Sequence, residues 1–235
     1  MPTQNSVKDN LARIQERISD AARRAGRRTE EVTLVAVSKT HPAEAIREAF
    51  AAGILHFGEN RVQEWEGKRG AIEDLPGTWH LIGHLQSNKG ARAAKVFHSV
   101  DSVDDWDLAQ RLNRAREEQG PGEKLRVLIE VRIEQELKKS GVEVPQLAEL
   151  AKNVAALPRL QMAGLMCIPP YLENIQHVRR YFRKLRELRD AAEKDLHIDL
   201  PVLSMGMSHD FEVAIEEGAT EVRVGTAIFG SRPGK

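Results

Sequence analysis

The sequence predicts an α/β protein folded as a single (β/α)8 TIM barrel, with one extra helix at its N-terminal end. Three observations lead there. Short apolar runs rich in β-branched residues alternate with amphipathic stretches, and the alternation can be counted eight times. The chain has 235 residues, about the length one such barrel takes. The last strand candidate, at 221–224, lies so close to the C-terminus that 1–235 is expected to form one domain.

The elements follow in order. Leu11, Ile14, Ile18 and Ala22 recur at spacings of three and four, so about 6–25 reads as an amphipathic helix ending near Gly26. The next run, Val32-Thr33-Leu34-Val35-Ala36-Val37, is apolar at all but one position, as a strand covered on both faces must be. Pro42 then opens a helix that runs to Gly53. The other strand candidates are 54–58, 79–83, 96–100, 127–133, 161–168, 202–205 and 221–224. Helical patterns separate them at about 61–69, 88–95, 103–118, 145–156, 174–194 and 209–217. An open doubly wound sheet is the alternative, but the first strand-to-helix turn, SKTHP, has none of the glycines of a dinucleotide fingerprint.

Composition narrows the function. Lys plus Arg and Asp plus Glu both number 35, so no general field draws the chain to nucleic acid or to an anionic membrane, and any anionic ligand needs a local site. The single cysteine, Cys167, excludes an intrachain disulfide and a cysteine-rich metal site, and it fits a reducing compartment, with the cytoplasm expected. The polar N-terminus lacks the apolar core of a signal peptide, and no run approaches a membrane span.

In a barrel of this kind chemistry sits at the C-terminal ends of the strands. Lys39 follows, one residue after Ser38, the run 32–37 with its one polar side chain, Thr33, so its stem leaves a buried strand and its ammonium is expected at the mouth. Partial desolvation there favours the neutral amine, the form that condenses with an aldehyde into a Schiff base. The plainer alternative is a lysine that reaches solvent or pairs with Glu59. Ser204-Met205-Gly206-Met207-Ser208 follows strand seven, with Ser208 expected as the N-cap of a helix starting near His209. Gly225-Thr226 repeats the device after strand eight, and these two loops build the phosphate site of many such barrels. Two ordinary capped turns are the alternative, and Asp210 in the first helical turn would compete with an anion. Arg223 shares a side of its strand with Gly225, so its guanidinium is expected inside the barrel, facing a ligand or Glu59. His84 is most simply a hydrogen-bonded structural residue that also lines the mouth, and Cys167 a small buried hydrophobe.

Seven motifs then carry a resemblance: VAVSKT (35–40), HFGEN (56–60), WHLIGHLQSNK (79–89), KSG (139–141), GLMCIPP (164–170), SMGMS (204–208) and VRVGTAIFG (222–230). In order and spacing, from about 34 to 230, the chain closely resembles the YggS/PROSC family, the pyridoxal-phosphate homeostasis proteins. The resemblance implies a barrel related to the N-terminal domain of alanine racemase, with pyridoxal 5′-phosphate (PLP) as cofactor. It makes Lys39 the Schiff-base lysine, gives phosphate contacts to Ser204, Gly206, Ser208, Gly225 and Thr226, and sets Arg223 against the pyridine nitrogen. Asn60, His84, Met166 and Met205 lie within the same motifs and complete the candidate cofactor-binding residues. Two departures stand out: His209 replaces a small or acidic residue, and Val131-Arg132-Ile133-Glu134 replaces the family's usual sequence after strand five.

The function expected is therefore that of a PLP-binding protein of intracellular PLP homeostasis, with little or no catalysis and no metal. Its expected partners are PLP and, as clients, PLP-dependent apoenzymes, with the chain a monomer. A racemase of the alanine-racemase type is the alternative. Two-sided proton transfer needs groups on both faces of the cofactor, however, and only Lys39 is evident, with Tyr171 and Tyr181 near helix six. A cofactor-free Schiff-base aldolase is a third reading.

Overall fold

A computed structural model describes residues 6–134 and 140–230. Eight strands form the barrel: β1 (Thr33–Val37), β2 (His56–Glu59), β3 (Thr78–Leu81), β4 (Ser99–Val103), β5 (Leu125–Arg132), β6 (Leu160–Met166), β7 (Val202–Met207) and β8 (Glu221–Val224). They pair in parallel in chain order, and β8 returns to β1 through the Thr33–Glu221 and Val35–Arg223 registers, which closes the ring. Around it lie α1 (Val7–Arg24), α2 (Ala43–Ala51), α3 (Val62–Arg69), α4 (Gly90–Val96), α5 (Trp106–Glu118), α6 (Val144–Ala155), α7 (Arg179–Leu196), α8 (Phe211–Glu216) and α9 (Thr226–Phe229). The predicted barrel and its leading helix are both present.

Two elements depart from expectation. Strand four was expected at 96–100 but runs from Ser99 to Val103, every residue of it buried, including Ser99, Asp101 and Ser102. Its inward side is polar, so an apolar-run criterion ended it early and took Val96, the last residue of α4, as its start. A two-residue strand, Val142–Glu143, pairs beside β5 at Val131 and Arg132 and is too short to show a period.

The strands alternate between two environments. Ala36, Phe57, Leu81, Val100, Ile129, Leu165, Leu203 and Val222 belong to the main apolar core beneath the helices, where Trp65 of α3 lies 4.0 Å, ring to ring, from Trp79. Leu128, Ala163 and Met166 form a separate small cluster, the apolar part of the barrel interior.

The floor of that interior, at the N-terminal ends of the strands, is polar. His80 Nδ1 lies 3.0 Å from Asp101, Arg126 donates to Ser99 Oγ at 3.0 Å and to Glu221 at 2.7 Å, and His56 Nδ1 lies 3.1 Å from His80 Nε2. Burial pulls His80 down, but the Asp101 carboxylate outweighs it and raises the imidazole above its ordinary range. The ligand atoms of His80, Asp101 and Glu221 lie within 4.8 Å of one another, a spacing that suits a metal. The Arg126 guanidinium already bridges the two carboxylates there, so His80 and Arg126 balance the charge of Asp101 and Glu221.

His56, at the edge of this network, is pushed down to about 4 by burial and by the charges of His80 and Arg126. Between the ordinary 6.5 and about 4 the unfolded chain binds a proton that the folded chain refuses, so the contribution of His56 to stability falls as pH drops through that window. A proton NMR titration should place the His56 midpoint near 4; a midpoint near 6.5 would contradict its desolvation.

Candidate functional site at the barrel mouth

Lys39 stands half-buried in a turn just beyond β1. The next residue, Thr40, has φ +66°, a left-handed conformation costly for a β-branched side chain. Such a turn persists only when its surroundings hold it, and α3 does so. Glu64 accepts the Thr40 amide, and the Lys68 ammonium donates to Glu64 (2.7 Å), to Glu59 (3.0 Å) and to the Ser38 carbonyl (3.0 Å). Ser38 Oγ donates to the same Glu59 oxygen at 2.7 Å. Burial raises the Glu59 carboxyl, against the pull of Lys68. Glu59 is therefore part of the support beneath the lysine turn. The Glu64–Lys68 spacing of four on one helix was visible in the sequence; what the pair holds was not.

Arg223 is buried, as expected, and points inward. Its guanidinium donates to Ser204 Oγ at 2.7 Å and to the Cys167 carbonyl at 2.9 Å. Both partners are neutral, and among the described residues no carboxylate forms an ion pair with it, so the alternative pairing with Glu59 does not occur. A guanidinium this far from water whose acceptors are both neutral favours a further, stronger acceptor, which makes Arg223 the clearest mark of a ligand site. Ser204 Oγ is thus already engaged by Arg223. The Cys167 thiol is pushed up to about 12 by burial, which leaves it protonated and inert.

The turns after β7 and β8 differ in detail from expectation. Ser208 does not cap α8, because that helix begins at Phe211 with Asp210 in the cap position. Ser208 Oγ instead accepts the Gly225 amide at 3.3 Å, which ties the two turns together. Asp210 accepts the Met207 amide at 2.7 Å, so its carboxylate braces the turn, and burial raises its carboxyl. Helices α8 and α9 have six and four residues, so their dipoles add little and the turn amides themselves must supply the donors. A bulge lies between the Ser204–Glu221 and Met207–Arg223 pairs, and Gly206 within it has φ +91°. The need for glycine there comes from the protein: an added Cβ would lie 2.6 Å from Ala214 Cβ and 2.9 Å from Phe211 Cα.

The remaining candidates fall in three places. Met166 lies in the barrel interior, whereas the Met205 side chain belongs to the outer core. Asn60 and His84 line a separate cleft between the connections after β2 and β3, and His84 lies 3.4 Å from Asp104. Arg132 pairs with Glu143 at 2.6 Å, and His209 lies against exposed Tyr171, the two rings tilted with centroids 4.8 Å apart. Tyr181 is buried and donates to Glu134. Sequence reasoning missed Glu130, a buried carboxyl in β5 that accepts from Ser140 at 2.9 Å and is raised by burial. Lys138 and Lys139 lie outside the described residues.

A closed parallel barrel with a lysine turn after β1, and an inward arginine beside glycine turns after β7 and β8, defines a class of protein. Residues 10–233 match the family described as alanine racemase, N-terminal domain. Alanine racemase of Corynebacterium glutamicum shares that fold at 19% identity and a TM-score of 0.66, and this chain covers 61% of its length. Nearer relatives are more specific. The pyridoxal phosphate homeostasis protein of Aquifex aeolicus is 48% identical over 95% of this chain and 97% of its own, and that of Pseudomonas aeruginosa is 47% identical over 97% and 96%. PipY of Synechococcus elongatus, whose structure has PLP bound, is 38% identical with a TM-score of 0.85 over 96% of this chain and 100% of that one. The chain belongs to the pyridoxal phosphate homeostasis protein family.

Proposed function

We propose that this chain binds PLP as a Schiff base on Lys39 and takes part in intracellular PLP homeostasis, with little or no catalysis. The observation that carries the reading is the Arg223 guanidinium, buried in the barrel and held by two neutral groups. The pyridine nitrogen of PLP is an acceptor that answers this need, and the names of the full-length relatives point to the same cofactor. The Gly206, Ser208, Gly225 and Thr226 turns are assigned the phosphate, with Ser204 holding Arg223, Met205 contributing through its backbone and Met166 lining the wall at the end of β6. Asn60 and His84 lie at the outer rim.

When bound, PLP supplies an electron-withdrawing ring, and Arg223 limits that property. Arginine keeps its proton, so it gives the ring nitrogen a hydrogen bond without making it cationic. A ring held in this way suits retention of the cofactor better than stabilisation of a carbanion. The same reading makes PLP-dependent apoenzymes the clients, the cytoplasm the compartment and a monomer the working form.

The test is spectroscopic. Protein purified with PLP should show a yellow absorbance band that borohydride bleaches, mass spectrometry should place the reduced adduct on Lys39, and the Lys39→Ala protein should lack the band. An adduct on another lysine, or none, would overturn the assignment.

A further inference from the structure

We infer that the cleft between the β2–α3 and β3–α4 connections is a second anion site, suited to the dianion of a phosphate monoester with a polar body. It shares Asn60 and His84 with the rim assigned to PLP but uses neither Lys39 nor Arg223. The cleft has a volume of about 470 Å³, within the range of small-molecule sites. Arg61 and Lys89 enter it from the two connections, Asn60, Gln63 and Gln86 add carboxamides, and Leu81 lies at its base. No carboxylate lines it.

The nearby acids are committed elsewhere. Glu64, whose carboxylate feels the charge of Arg61, is held by Lys68 and the Thr40 amide. Asp104, next to His84, accepts the Gly141 amide at 3.1 Å. Among the described residues neither Arg61 nor Lys89 forms an ion pair. Two cations brought into one cleft from different connections repel each other unless an anion lies between them, and the chain as a whole has a formal net charge of zero. The local excess is therefore a property of this cleft.

The lining also selects among anions. The arginine fork matches two phosphate oxygens and the lysine a third, so a doubly charged phosphate answers both cations. The carboxamides suit hydroxyl groups on the rest of the ligand. The one ring that lines the cleft, the imidazole of His84, lies 3.4 Å from Asp104. In ring order the cleft opens over β2 and β3, on the opposite flank of β1 from the glycine turns of β7 and β8. Lys39 stands between the two.

The full chain should be titrated with glycerol 3-phosphate while backbone amide shifts are followed by NMR. The amides of 60–64 and 84–89 should move at millimolar ligand. In the Arg61→Ser/Lys89→Ser protein that affinity should fall by about tenfold or more, while amides elsewhere keep their positions and so report an intact fold. Lys39→Ala should bind as well as the parent, because the site does not use that lysine. Succinate, a dianion without phosphate, should bind more weakly. Amides that stay still at millimolar ligand, or an undiminished affinity in the double variant, would overturn the site. Succinate binding as tightly as the phosphate ester would overturn the phosphate assignment.

Discussion

Replacing Lys68 with methionine should destabilise the folded chain by about 3 kcal/mol, the low end of the cost of breaking a buried ion pair. The Lys68 side chain is only 13% exposed, and that of its partner Glu59 is fully buried. Removing the ammonium strands the Glu59 carboxylate, leaves Glu64 with the Thr40 amide alone and leaves the Ser38 carbonyl only the His41 amide as donor. Glu59 can limit the loss by taking up a proton, since burial already raises its carboxyl. The loss should therefore shrink at acid pH and grow as the pH rises and Glu59 must ionise without its partner. Adding Glu59→Gln should restore part of the stability, a coupling that a merely additive pair would not show. Urea unfolding of the single and double variants measures all of this. A Lys68→Met loss below about 1 kcal/mol, the value of an exposed pair, would mean that the lysine does not hold the turn.

Gly206→Ala should cost about as much, by a different route. At φ +91° any side chain is strained, for roughly 1–3 kcal/mol. The new methyl group would also meet Phe211 Cα at 2.9 Å and Ala214 Cβ at 2.6 Å, forcing α8 away from β7. For a chain of this size the sum corresponds to a fall in Tm of roughly 10 °C, measurable by thermal unfolding. Cofactor affinity should fall with it, because the bulge that contains Gly206 also sets Ser204 beneath Arg223. Gly67→Ala is the control: it lies within α3 with no atom near its would-be Cβ, so it should be neutral or slightly stabilising. Equal effects of the two substitutions would show that the bulge does not require glycine.

The barrel was legible because strands covered by helices on the outside give recurrent apolar runs, and eight of them leave few other ways to close. Strand four was misplaced for the complementary reason, since its inward residues Ser99 and Asp101 serve a charged floor that an apolar criterion does not register. At the site, Lys39 and Arg223 could be read from strand position alone, because alternation and strand ends fix which way a side chain leaves. Roles that depend on a partner far along the chain could not. Nothing local ties Lys68 to Ser38, turns Ser208 toward Gly225, or sends Asn60 and His84 to a different cleft from Ser204.

The first helix has a consequence for how the mouth is assembled. Arg17 of α1 pairs with Glu212 of α8 at 2.9 Å, Asn10 donates to the Ile228 carbonyl of α9 at 2.9 Å, and Arg27, just past α1, reaches the Ala219 carbonyl at 2.7 Å. Helix α1 is thus a strap over the seam where β8 meets β1. Without β8 and α9 the strap keeps its contacts to Glu212 and Ala219 but loses that to Ile228, and the β8 turn does not exist. A chain cut before β8 would keep Lys39 but lose the inward Arg223 and the glycine turn beside it, so its capacity to retain a ligand should be lost.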